Sequence, residues 1–189
     1  MLQDIDREME RRGLEAIIAF SNSTHDSPEF NYLVGTFIPR GGVYIKKVFE
    51  IPTLIVNSID LSEAKKGNVK NIKTFSDYNY EDFLKSYGAE KAFSIFLQKI
   101  LEEHKVSGKI ALVGKSEISK ALRIVEALKN FGYQIVAENP PTLLESLMET
   151  KSIDEIEKIK VASRKTGKVM EKTIEFISSL KALGNRLYY

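Results

Sequence analysis

Four places in this chain carry side chains of the kinds that do chemistry, and each is sparse. Gly114-Lys115-Ser116 invites a phosphate-loop reading, but that loop needs a glycine five positions earlier, where Lys109 stands. Gly114 therefore reads as a strand-to-helix turn and Ser116 as a candidate helix cap. His25-Asp26, in the loop SNSTHDSPEF, has the group types for a metal or acid–base pair, against the plainer reading of a polar loop, and two ligands do not make a site. His104 falls at a helix end, where a cation interacts well with the dipole.

The loop Thr36-Phe37-Ile38-Pro39-Arg40-Gly41-Gly42 is the best candidate for a function beyond folding. Its two glycines allow close backbone approach, Phe37 offers an apolar surface and Arg40 can grip a carboxylate through two N–H groups. The alternative is an ordinary hairpin lead-in with an exposed arginine. The carboxylate pairs Asp4/Asp6, Glu102/Glu103 and Asp154/Glu155 have basic neighbours and read as solvated faces. Tyr78, Tyr80 and Tyr87 read as a partly buried aromatic group. No residue is assigned as catalytic or as a metal ligand, and no cofactor is expected within this chain.

These residues need a scaffold, and apolar periodicity supplies one. A helix is expected over 2–12, a buried strand over 15–20, strands over 42–47 and 53–57 joined by a turn near Pro52, a short helix over 61–66 and a strand over 71–75. Phe93, Phe96, Leu97, Ile100 and Leu101 mark a helix over 89–104. A strand over 109–113, a helix over 118–128 and a strand over 133–136 complete the alternation before Pro140-Pro141. The pattern predicts an α/β fold with a mixed β-sheet of about six strands flanked by helices, because crossover helices must cover its faces.

Composition narrows the function. The chain has 28 basic and 26 acidic side chains, interleaved, so a nucleic-acid partner is not expected; with no cysteine there is no disulfide or thiol chemistry. No run of 18 apolar residues occurs and the N-terminus lacks a signal pattern, so no membrane association and a cytoplasmic location are expected.

The segment 147–162, LMETKSIDEIEKIKVA, reads as a joint between domains. Ser152 with Glu155 makes a capping box, and Ile156, Ile159, Ala162, Thr166, Val169, Met170, Ile174 and Ile177 form one apolar stripe on a long helix. Such a stripe needs a surface to pack on, and a protein complete in itself should cover it. The residues after Ile177 are expected to hold at most the first helix of a further domain.

In this joint Leu147, Lys151, Glu155, Ile156, Ile159, Lys160 and Ala162 fall in register with the linker of the creatinase, prolidase and aminopeptidase P group, the pita-bread metallopeptidases, which the segment resembles; Met148 stands where that group has arginine. Upstream, Asn31-Tyr32-Leu33-Val34-Gly35 and Arg40-Gly41-Gly42-Val43-Tyr44-Ile45 resemble the group's Asn-x-x-Tyr-Leu-Thr-Gly motif and the glycine-led strand after it, with the asparagine–tyrosine spacing shortened. The resemblance implies an N-terminal α/β domain over 1–141 and a linker helix over 142–189 leading to an absent catalytic domain. That domain would carry two divalent metal ions on two aspartates, a histidine and two glutamates, so this chain alone is expected to be inactive. It further implies a homodimer, in which the loop bearing Phe37 and Arg40 approaches the peptide substrate in the partner's active site. The alternative is a stand-alone, non-catalytic protein-binding module of the same fold. A stand-alone ligand binder is disfavoured, because neither dinucleotide glycines nor a phosphate loop occurs.

Overall fold

The computed structural model describes residues 4–184 and 186–188, except for the side chains at 90, 182, 183 and 187. The chain divides into two compact units, residues 2–147 and 148–189.

The first unit is built on a mixed six-stranded sheet. Its strands are β1 (Ala16–Ser21), β2 (Gly42–Lys47), β3 (Thr53–Val56), β4 (Asn71–Thr74), β5 (Lys109–Val113) and β6 (Gln134–Val136), in the spatial order β4-β3-β2-β1-β5-β6. β1 runs antiparallel to β2 and parallel to β5; β2 and β3 are antiparallel, while β3–β4 and β5–β6 are parallel. Alternation along β1 splits the core: Ile17 and Ala19 face one layer, Ala16, Ile18 and Phe20 the other, and all five are buried. A strand buried on both sides reads as a continuous apolar run, as AIIAF does.

The first layer receives α1 (Ile5–Arg11), α2 (Pro28–Val34), α3 (Leu61–Ala64) and α6 (Leu143–Glu149), through Met9, Phe30, Leu33, Ala64, Leu143 and Leu147 among others. The second receives α4 (Tyr80–Glu103) and α5 (Ile118–Asn130), through Phe96, Leu97, Ile100, Leu101, Ile124 and Leu128. α4 is broken at Gly88, whose φ of 73° is non-helical, so the expected start near residue 89 marks the second of its two segments. α2 was not expected. Ser27 caps it by accepting the Phe30 N–H, and Pro28 at its first position needs no hydrogen-bond acceptor. Asp6 does not lie on a solvated face either: its Oδ1 accepts Lys46 Nζ at 2.5 Å and the Phe49 N–H at 2.6 Å.

The second unit contains α7 (Ile153–Ser179) and a small antiparallel hairpin, β7 (Lys181–Leu183) with β8 (Arg186–Tyr188). The capping box forms as expected: Ser152 Oγ accepts the Glu155 N–H, and Glu155 accepts the Ser152 N–H at 2.7 Å. The hairpin follows directly on α7, in the stretch expected to hold at most the first helix of a further domain. No side chain of α7 is buried, and its stripe is open: Ile156 is 40% exposed, Val169 66% and Ile174 62%. Among the described residues, no helix is long and apolar enough to cross a membrane.

Two carboxylates that bridge distant parts of the first unit contribute to its acid sensitivity. Glu15 is pushed up by burial, but the N–H groups of Gly108 and Ser107 and the Lys47 ammonium outweigh this and hold it below its ordinary value. For Glu103, burial is likewise outweighed by Lys73. A depressed folded-state pKa contributes stability that is present above the unfolded value and lost as pH falls through the folded one. The thermal midpoint should therefore hold above about pH 5 and fall below about pH 4, with a smaller fall in Glu15→Gln. Stability that rises on acidification across that window would contradict this assignment.

Candidate functional site

The Phe37–Arg40 loop is held from both ends. Gly35 ends α2 in the left-handed conformation (φ 73°), and a Cβ there would collide with the Asn68 side chain. The buried Thr24 then grips Ile38: its Oγ1 accepts the Ile38 N–H at 2.9 Å, and its own N–H donates to the Ile38 carbonyl at 3.2 Å. Ile38 is fully buried, whereas Phe37 just before it is 57% exposed. The anchor thus presents the phenyl ring outward on a fixed backbone.

Arg40 leaves the loop beside the buried Asp60, which lies on a 3-10 turn (Ser58–Asp60) after β3; its Nη1 stands 3.5 Å from Asp60 Oδ1. Asp60 Oδ2 is buried and has no hydrogen-bond partner among the described residues. The Arg40 side chain is 56% exposed, so its remaining N–H groups face solvent. The arrangement suits an anion: one carboxylate orients the guanidinium from behind, and its open edge can accept another. Gly41 and Gly42 complete the site by letting the chain pass close to the Ser21 and Ile55 carbonyls, respectively. Asp60 escaped the sequence reading because only the β2–β3 pairing, which sets Gly42 opposite Val56, brings it near Arg40.

The other sequence candidates fall out differently. His104 is the C-cap of α4, as expected, with Nδ1 3.8 Å from a Glu50 carboxylate oxygen. His25 is exposed, its backbone N–H bonded to Ser23 Oγ. Among the described residues, no group of three histidine or carboxylate side chains could hold a metal ion. The cap of α5 is Glu117 rather than Ser116: its carboxylate accepts the Ser119 and Lys120 N–H groups at 2.9 and 2.7 Å, which keeps its pKa below the ordinary value. Tyr78 is buried in an aromatic cluster with Phe75, Tyr80 and Phe96, but Tyr87 is 52% exposed. Asp26 and the Lys115-Ser116 pair, far apart in sequence, line one crevice of about 240 Å³ beyond the ends of β1 and β5.

The sequence matches no protein-family model, and no curated protein matches it. Solved structures do. The prolidase from Pyrococcus furiosus aligns with 96% of this chain at 18% identity and a TM-score of 0.62, and the X-Pro aminopeptidase from Thermotoga maritima with 90% at 18% and 0.61. This chain spans only 48% and 43% of those two chains, corresponding to their N-terminal domain portion. An Xaa-Pro aminopeptidase structure from Streptococcus pyogenes aligns with 77% of this chain and is itself covered over 93% of its length, at 19% identity and a TM-score of 0.52. The chain therefore has the creatinase/prolidase N-terminal domain fold.

Proposed function

We propose that this chain is the non-catalytic N-terminal domain of a metal-dependent Xaa-Pro dipeptidase or aminopeptidase, which helps dimerise the enzyme and walls off one side of its substrate site. The observation that carries the reading is the alignment of nearly the whole chain with less than half of two such peptidases. The open stripe of α7 supports it, because an apolar face of this kind suits packing on a further domain. Catalysis, and the two divalent metals it would use, belong to that domain, and the chain by itself is inactive.

In this reading Arg40 receives the terminal carboxylate of a short peptide and Phe37 packs against its apolar part, so the loop limits substrate length. In the complete enzyme, Arg40→Ala should lower kcat/KM for an Xaa-Pro dipeptide about tenfold, the order expected for one charge-assisted contact, while affecting longer peptides less. Asp60→Asn should shift the same ratio in the same direction, because it loosens the guanidinium. Unchanged kinetics for short and long peptides in a Phe37→Ala/Arg40→Ala double variant would remove the loop from the substrate site.

A further inference from the structure

The sheet brings together two motifs that the proposed function leaves unused. β1 and β5 are parallel neighbours, but β1 leads to α2 on one face of the sheet and β5 leads to α5 on the other. Where connections diverge in this way, a crevice opens at the carboxyl ends of the strands, and open α/β sheets characteristically hold ligands there. The crevice of about 240 Å³ occupies that position, lined by Phe20, Asp26, Lys115, Ser116, Glu117 and Lys120.

Its charges are not equivalent. Glu117 is already committed to the first N–H groups of α5. Lys120 is the opposite case: it has no carboxylate partner among the described residues, and its Nζ lies 5.5 Å from the Phe20 ring centroid and 5.0 Å from that of Phe93. Burial lowers its pKa, as expected for an ammonium that has given up water without gaining an anion. Lys115 and Asp26 are exposed at the rim, and neither forms an ion pair among the described residues. Two uncommitted cations, one uncommitted carboxylate and an aromatic wall therefore surround a small space.

We infer that this crevice binds a small zwitterion, a free amino acid or short peptide, with its carboxylate between Lys115 and Lys120, its ammonium at Asp26 and its side chain against Phe20. Inorganic phosphate suits the site less well, because Glu117 fills the helix N–H groups that would cradle it and because phosphate, unlike a zwitterion, brings no ammonium to offset the Glu117 and Asp26 charges. The inference is independent of any peptidase role and is read on the chain alone.

The test is calorimetry and amide NMR on the full 189-residue chain, titrated with L-leucine, N-acetyl-L-leucine amide and inorganic phosphate. L-Leucine should bind saturably, with a Kd of about 1 mM or tighter, and shift the amides of residues 21–26 and 114–120. The uncharged amide should bind at least about tenfold more weakly, and Lys120→Met and Asp26→Asn should each weaken L-leucine about tenfold with unchanged circular dichroism. If Lys120→Met fails to fold, the exposed substitutions Lys115→Gln and Asp26→Asn decide the matter. Absence of saturable L-leucine binding, equal binding of the amide, tighter binding of phosphate, or indifference to the folded variants would each overturn the inference.

Discussion

Gly41→Ala is expected to lower the stability of the first unit by about 3 kcal/mol, combining the cost of a left-handed side-chain-bearing residue with that of overpacking. Gly41 has φ 61°, and a Cβ there would overlap the Ser21 carbonyl oxygen at the end of β1. The overlap meets backbone, which cannot swing aside as a flexible side chain can. Gly13 provides the control: its φ is 63°, and a Cβ there would meet nothing within 4 Å. Gly13→Ala should therefore cost only about 1 kcal/mol, the conformational part alone. Urea unfolding of both variants isolates the close approach, and equal losses would show that Gly41 is required for its backbone angle only.

Lys46→Met should cost a similar amount, about 3 kcal/mol, although it exchanges a charged core residue for an apolar one of like length. Lys46 is 3% exposed, and its ammonium is fully employed: Nζ donates to Asp6 Oδ1 at 2.5 Å, to the Lys47 carbonyl at 2.9 Å and to the Glu50 carbonyl at 2.6 Å. Removing it leaves those two carbonyls without this donor. Asp6 also holds the Phe49 N–H in a turn where Phe49 has φ 62°, so the pair fixes the β2–β3 turn to α1. Because the Asp6 side chain is 34% exposed, Asp6→Asn should cost less, about 1 kcal/mol, and water can replace part of what it loses. The double variant should fall short of the sum of the single ones, since both act on one contact. A neutral Lys46→Met would mean that the ion pair is dispensable.

How legible the fold was depended on how local its cause is. β2 and β5 begin and end where period and composition place them, because each is an apolar run bounded by turn residues. The capping box of α7 was likewise readable, since its two partners are three residues apart. α2 was hidden by its brevity and by a polar loop sequence, although Ser27-Pro28 before Phe30, Leu33 and Val34 carried the signal. The first segment of α4 lay behind Gly88, which interrupts the period. The β7–β8 hairpin has strands of three residues, too short for any alternation to register.

The candidate site was half visible for the same reason. Phe37, Arg40 and the two glycines are contiguous and could be singled out from residue type alone. Asp60, Thr24 and the Lys46–Asp6 pair act across strand pairings and layer packing, which no spacing along the chain encodes. The meeting of Asp26 with Lys115 and Lys120 depends on β1 and β5 being neighbours, a fact of topology.

Peptide hydrolysis by the whole protein to which this domain would belong is the most direct measurement. The complete polypeptide encoded by the reading frame that contains this chain should be compared with residues 1–189 alone, with Xaa-Pro dipeptides and longer Xaa-Pro peptides in the presence of manganese or cobalt. The account predicts metal-dependent cleavage before proline by the complete polypeptide, abolished by chelator, and none by the 189-residue chain. Metal-dependent Xaa-Pro hydrolysis by the 189-residue chain itself, or a complete polypeptide that never cleaves such a bond, would contradict it.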